Sequence, residues 1–401
     1  MIKIQTIISK ISLVSFISLI SFVSFVSSCS KGDDDSDELQ QGTAGVVIGG
    51  VRGYAPYFEE NATRTNVPYM AYSSLTRVWE KPSGFVDYED GDQTIAIAFT
   101  QNNQEPKKGF FFKGDDEWRT SVKDIAAEKK YYLYGYVPHK TVIKFNITDI
   151  DPETGTDKDE YSSGAIMTLD DVPSVMPNDL CVVVGAKEGT DKETDSGLRI
   201  GDFGYQASAT AKDNFVFLLF DHLYASLCIN MRVDIKYSEL RTIKLKSLKL
   251  GILEGEDASK QKTKITIKLE ANDGSSSPIV GNVSYEPTGE PIDVVGGGLE
   301  FWSDAYGHEL TTDYQSFFGH FMPSGITTLV LTSKYDVYDS KGYLINQDCE
   351  ATNTMSISDL YTGQLRTERG KRYTVNMTIE PTYLYMLSDP DLDNPSAKVV
   401  P

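Results

Sequence analysis

The chain has 401 residues, with 58 acidic side chains against 38 basic ones and a formal charge of −20. Such an acidic surplus favours solubility, repels phosphate backbones, excludes nucleic acid as a partner, and suits an exposed protein better than one that binds anionic membranes. The length points to two domains, and after the N-terminal segment no run of about eighteen apolar residues occurs, so an anchored rather than a membrane-spanning chain is expected.

Lys3 and Lys10 accompany an apolar core from Ile11 to Val26, the pattern of a cleavable signal peptide over residues 1–28. Val26-Ser27-Ser28-Cys29 resembles a bacterial lipobox, in which Cys29 becomes the lipidated first residue of the mature chain. Two or more acyl chains hold a protein stably to a bilayer, whereas one holds it marginally. Residues 29–43 carry the run Asp33, Asp34, Asp35, Ser36, Asp37, Glu38, which has nothing to bury and reads as an acidic flexible tether. Acidic residues directly after the lipidated Cys resemble a surface-export signal of Gram-negative lipoproteins. That resemblance implies a lipid-anchored, surface-exposed position on the outer membrane.

Strand patterns dominate the chain beyond the tether. Ile95, Ile97 and Phe99 alternate with small or polar residues, as do Ile265, Ile267 and Leu269, and Tyr373, Val375, Met377 and Ile379. These are half-buried antiparallel strands. Tyr131–Val137 and Phe215–Phe220 are apolar throughout and are expected to be buried on both faces at the centre of a sandwich. A single short helix is expected around Val122–Lys130. In Ile243-Lys244-Leu245-Lys246-Ser247-Leu248-Lys249-Leu250 the apolar parity shifts by one at Ser247, which requires a bulge, a strand end or a passage between domains. A junction is therefore placed near residue 240. The expected fold is all-β: an N-terminal β-sandwich over 44–240, a C-terminal β-sandwich over 241–387 and a polar tail over 388–401.

Besides Cys29, the cysteines Cys181, Cys228 and Cys349 stand singly, with no C-x-x-C and no His at metal spacing. Cys181 and Cys228 lie in apolar runs and read as small buried hydrophobes. His222, beside a buried strand, reads as a structural histidine. His308-Glu309 lacks the second His of a zincin helix, and no nucleophile elbow, phosphate loop or dinucleotide fingerprint occurs. No catalytic residue and no cofactor is therefore assigned. The acidic segment Asp149, Asp151, Glu153, Asp157, Asp159, Glu160 offers hard oxygen donors at alternate positions, the pattern of a Ca²⁺ loop. Pro152 stiffens its middle and Gly155 falls one position late, so it is read as a solvated insertion between strands, with Ca²⁺ ligation by Asp149, Asp151, Glu153, Asp157 and Glu160 as the alternative.

Several phrases, in order, resemble the fimbrillin family, the type V pilin subunits of Gram-negative anaerobes. They are Trp79 with Asp90-Gly91-Asp92, Tyr131–Pro138, Phe220-Asp221-His222-Leu223-Tyr224-Ala225-Ser226-Leu227, and Gly370-Lys371-Arg372-Tyr373-Thr374-Val375, within a span from about Val47 to Met386. The resemblance implies two transthyretin-like β-sandwich domains and lipoprotein export. It also implies removal of an N-terminal strand after a basic residue, and association with other pilin subunits by strand exchange. Ala44–Val51 is then the detachable strand, with Arg52 or Arg64 as the processing point. The tail Ser388-Asp389-Pro390-Asp391 breaks strand pairing, which fits a tip, accessory or anchor subunit better than a stalk subunit. The alternative function is a surface lipoprotein that binds glycans, with Trp302, Tyr306 and Tyr314 as a stacking platform. A glycosidase, which needs two carboxylates across a cleft, ranks below both.

Overall fold

The computed structural model describes residues 48–56, 59–60, 75–77, 94–101, 104–114, 117–139, 143–149, 165–190, 197–209, 214–255, 257–269, 283–292 and 298–379. The fold is all-β, and among these residues the strands form four sheets. No helix among them is long and apolar enough to cross a membrane.

The first sheet has nine strands: β1 (Gly50–Pro56), β3 (Leu75–Arg77), β4 (Thr94–Thr100), β5 (Lys107–Gly114), β6 (Glu117–Thr120), β7 (Lys130–Val137), β10 (Cys181–Gly189), β11 (Gly204–Gln206) and β12 (Phe215–His222). Their order is β3-β1-β12-β10-β7-β4-β5-β6, with β11 also on β7. The second sheet runs β17-β16-β9-β8, from β8 (Lys144–Asp149), β9 (Ala165–Pro173), β16 (Lys260–Leu269) and β17 (Val283–Pro291). These two sheets pack on a shared core that joins Tyr132, Tyr134, Tyr136 and Phe217 to Met167, Leu169, Ile265 and Ile267. The first sheet also buries its other face. Ile95, Phe99, Tyr131, Leu133, Val183 and Phe220 form a separate core there, where the Phe99 ring meets Phe111, Tyr131 and Tyr205 edge-on at 5.7–5.8 Å. Strands covered on both faces need apolar residues at successive positions, and β7 from Tyr131 to Val137 and β12 from Phe215 to Phe220 meet that requirement.

The third sheet runs β19-β13-β22-β2, from β2 (Glu59–Glu60), β13 (Ala225–Val233), β19 (Gln315–Met322) and β22 (Lys371–Ile379). The fourth runs β15-β14-β20-β21 with β18 also on β14, from β14 (Arg241–Glu254), β15 (Asp257–Ala258), β18 (Leu299–Glu309), β20 (Thr328–Asp339) and β21 (Leu344–Ser356). Their common core includes Ile229, Met231, Val375, Leu245, Leu250 and Leu331.

Strand β14 is continuous through the parity shift. Its pairing to β20 steps from Leu245↔Tyr335 to Ser247↔Lys334, so Lys246 is the extra residue of a bulge. The bulge returns Leu248, Leu250 and Ile252 to the face that Ile243 and Leu245 already occupy, and all five are fully buried. The passage between sheet pairs occurs earlier than residue 240, at Leu223–Tyr224, between β12 and β13. Tertiary hydrogen bonds hold this corner: Leu223 N–H donates to Leu180 O at 2.8 Å, Gly370 N–H to Tyr224 O at 2.9 Å, and the Tyr285 hydroxyl to Leu223 O at 2.5 Å. The hairpin β16–β17 follows β14 in sequence yet joins β9 in the second sheet, so the two sheet pairs interleave along the chain.

The helix expected over Val122–Lys130 is absent. Asp124 and Glu128 adopt positive φ of 62° and 61°, which a helix does not allow. Glu128 N–H donates instead to Ala207 O at 2.8 Å, and Val122 and Ile125 are buried as irregular chain. Among the described residues the helices are single turns, α1 (Ile235–Ser238) and α2 (Ile357–Leu360). Asp234 caps the first by accepting from the Lys236 and Tyr237 amides, and Ser356 caps the second by accepting from Asp359 N–H.

Candidate functional site

The N-terminal ribbon is the first candidate. Strand β1 lies parallel to β12, with Gly50 opposite Phe215 and Tyr54 opposite Leu219, and β3 closes its other edge in antiparallel register. Shortly after β1 ends, β2 lies parallel to β22, with Glu59 opposite Lys371 and Glu60 opposite Arg372. Strand β22 is itself parallel to β13. One short ribbon therefore travels beside β12 in the first sheet and then beside β22 in the third. It supplies Ile48, Val51 and Ala55 to the core under the first sheet. Burying the two larger side chains contributes about 1.5–3 kcal/mol each.

Arg52 stands in the middle of β1, opposite Phe217. It is half-buried, with its guanidinium 5.5 Å from the centres of both the Phe215 and Phe217 rings. Strand β1 runs from Gly50 to Pro56, so Arg52 is inside the strand and not after it; of the expected strand Ala44–Val51, residues 44–47 lie outside the described residues. Arg64 and Cys29 lie outside the described residues. Asp149 ends β8, opposite Ala165, and Asp151, Glu153, Asp157 and Glu160 also lie outside the described residues, between the adjacent antiparallel strands β8 and β9.

A second constellation is one that spacing in the sequence hides. Cys181 begins β10 directly opposite His222 at the end of β12, and Asp179 lies two residues ahead of Cys181. Asp179, Cys181 and His222 are each 1% exposed or less. Asp179 Oδ2 lies 2.7 Å from His222 Nδ1 and 3.1 Å from Cys181 Sγ, and Sγ lies 3.5 Å from the same Nδ1. A nucleophile relay needs the thiol and the carboxylate on opposite ring nitrogens. Here both meet Nδ1, so the arrangement lacks the geometry of a catalytic triad. Its three donor atoms are of the types that bind Zn²⁺, and they converge on one point.

Beside this cluster, Arg369 Nη1 lies 2.5 Å from Asp221 Oδ2 and donates to His222 O at 2.8 Å, all of it buried. Arg369 immediately precedes Gly370, so these bonds tie the approach to β22 onto the end of β12. Cys181, Cys228 and Cys349 form no disulfide. Burial pushes the partly exposed Cys349 thiol up, with the Asp336 carboxylate adding to it.

The aromatic trio has divided employment. Trp302 packs edge-on against Phe317 at 4.9 Å and against His308 at 6.0 Å, partly buried against the core of the third and fourth sheets. Tyr314 is covered by the Arg232 guanidinium at 4.3 Å and bonds Thr378 through its hydroxyl, while Tyr306 is 95% exposed.

No family model and no curated protein matches the chain. Among solved structures, it is similar to a fimbrial protein from Bacteroides vulgatus at 12% identity and a TM-score of 0.33, covering 72% of this chain and 88% of that one. It is similar to a Bacteroides uniformis protein assigned to cell adhesion at 12% identity and a TM-score of 0.34, covering 82% and 94%. The fimbrial anchor protein Mfa2 from Porphyromonas gingivalis matches at 9% identity and a TM-score of 0.24, covering 82% and 90%.

Proposed function

We propose that this chain is a structural or adhesive fimbrial subunit that is delivered to the cell surface by a lipid on Cys29 and then assembles by removal and exchange of its N-terminal ribbon, the cut releasing it from the lipid. The observation that carries this reading is the ribbon itself, lying parallel along β12 and then along β22. Its withdrawal uncovers a row of backbone donors and acceptors together with the places of Ile48, Val51 and Ala55. A strand from a neighbouring subunit satisfies both needs, the ladder giving affinity and the alternate side chains giving specificity.

The position of the cut follows from the same geometry. Cleavage after Arg52 divides β1 and leaves Gly53–Pro56 and β2 in their sheets. Cleavage after Arg64 frees the whole ribbon, so Arg64 is the processing point we favour. In this reading the protein is not an enzyme, and the buried Asp179–Cys181–His222 cluster takes no part in turnover.

N-terminal sequencing of protein recovered from the cell surface tests the proposal. A start at Thr65, together with ladder formation on unheated gels, is the expected result. A start at lipidated Cys29 on all molecules would contradict strand removal and leave an anchor role.

A further inference from the structure

We propose that Asp179, Cys181 and His222 form a site for a single borderline-soft divalent cation, Zn²⁺ being the best match. Three different donors, a sulfur, an imidazole nitrogen and a carboxylate oxygen, meet within 3.5 Å of one another in a place sealed from solvent. The sheet brings them there: Cys181 faces His222 across the β10–β12 ladder, and Asp179 shares the side of Cys181 by the two-residue period of extended chain. Each flanking position on β10, from Val182 to Val184, is a buried Val.

Tetrahedral Zn²⁺ with ordinary bonds to S, N and O sets its donors about 3.3–3.6 Å apart. The Sγ–Nδ1 separation is 3.5 Å and already has that length. Only Asp179 Oδ2, at 2.7 Å from Nδ1 and 3.1 Å from Sγ, has to retreat by a few tenths of an ångström. Asp179 precedes β10 and is outside the β10–β12 ladder, so its adjustment breaks no ladder hydrogen bond.

The charges balance. In the ion-free cluster the thiol and the Nδ1–H both donate to the Asp179 carboxylate; a divalent cation that takes their place releases the thiol proton to solvent, while the Nδ1 proton passes to Nε2. This leaves thiolate, carboxylate and neutral imidazole around a 2+ ion, a neutral unit suited to a dry interior. The fourth position falls to water or to the second oxygen of Asp179. The role is structural, since the ligands pin the corner where the chain leaves the first sheet for the third.

Because the ligands are buried, loading is tested during folding. The full chain is unfolded in denaturant with a reductant and a chelator, exchanged into buffer, and refolded with one equivalent of Co²⁺ or Zn²⁺. The expected result is a near-ultraviolet thiolate-to-cobalt band at a ratio of one ion per chain, with a melting temperature several degrees above that of the ion-free protein. Cys181→Ser should abolish the band and Cys349→Ser should leave it. With the unaltered chain, Zn²⁺ should slow alkylation of Cys181 at least tenfold near the unfolding midpoint, and by more than it slows that of Cys349. Absence of the cobalt band, a band that survives Cys181→Ser, or equal alkylation with and without Zn²⁺ overturns the proposal.

Discussion

Arg369 and Asp221 form an ion pair with both side chains under 10% exposed. Removing one partner of such a pair strands a charge in a low-dielectric interior, a cost of about 3–5 kcal/mol. Arg369→Met should therefore lower the urea midpoint by the equivalent of that loss, and the double variant Arg369→Met with Asp221→Leu should recover much of it. At the surface, Lys246 and Lys334 bond Asp348 at 2.8 and 3.3 Å. Their hydrogen bonds, that of Lys246 first, hold its carboxyl below the ordinary carboxylate range. A carboxyl whose folded value is lowered adds stability above its unfolded value, and that stability is lost as pH falls through the folded one. Thermal melts between about pH 5 and pH 2 should show Asp348→Asn losing less stability on acidification than the parent chain. At this scale the sequence is legible in part. His222 is recognisable as structural from its apolar strand. Its meeting with Asp179 and Cys181 is not, because the contact spans more than forty residues and depends on the β10–β12 register.

Among the elements, β14 shows how one residue sets a register. Lys246 absorbs the parity shift, so deleting it leaves Ile243, Leu245, Leu248 and Leu250 in strict alternation on the same face. The deletion should fold, at a cost of about 0.5–3 kcal/mol for the lost twist and the lost ion pairs. Inserting one residue after Leu248 should instead turn Leu250 and Ile252 outward and abolish cooperative unfolding. Circular dichroism with urea titration separates the two. Gly135 makes a second test, because a Cβ there would fall far inside contact distance of Ala96 O in the neighbouring strand. Gly135→Ala must push β7 from β4 and should cost about 1–3 kcal/mol or more in the same titration. The bulge is readable from the parity shift at Ser247 as one of its several consequences. The two continuous apolar strands are readable from composition. The helix expected over Val122–Lys130 fails because a local pattern cannot weigh the hydrogen bond from Glu128 to Ala207, which belongs to tertiary packing.

Across the whole molecule, the chain changes sheets at Leu223–Tyr224 and later returns through β16 and β17 to complete the second sheet. Nothing in a local window marks either event, since the corner is held by partners at Leu180, Tyr285 and Gly370. The N-terminal ribbon is the feature that gives this body a use. It contacts both sheet pairs, contributes few side chains to the cores, and lies parallel to its neighbours β12 and β22. Its separability is measured most directly by preparing the chain that starts at Thr65 and titrating it with a fluorescent peptide of residues 46–60. The account predicts a folded body that captures the peptide, with anisotropy rising to saturation, and a scrambled peptide that does not bind. A truncated chain that is unfolded, or folded and indifferent to the peptide, would contradict it.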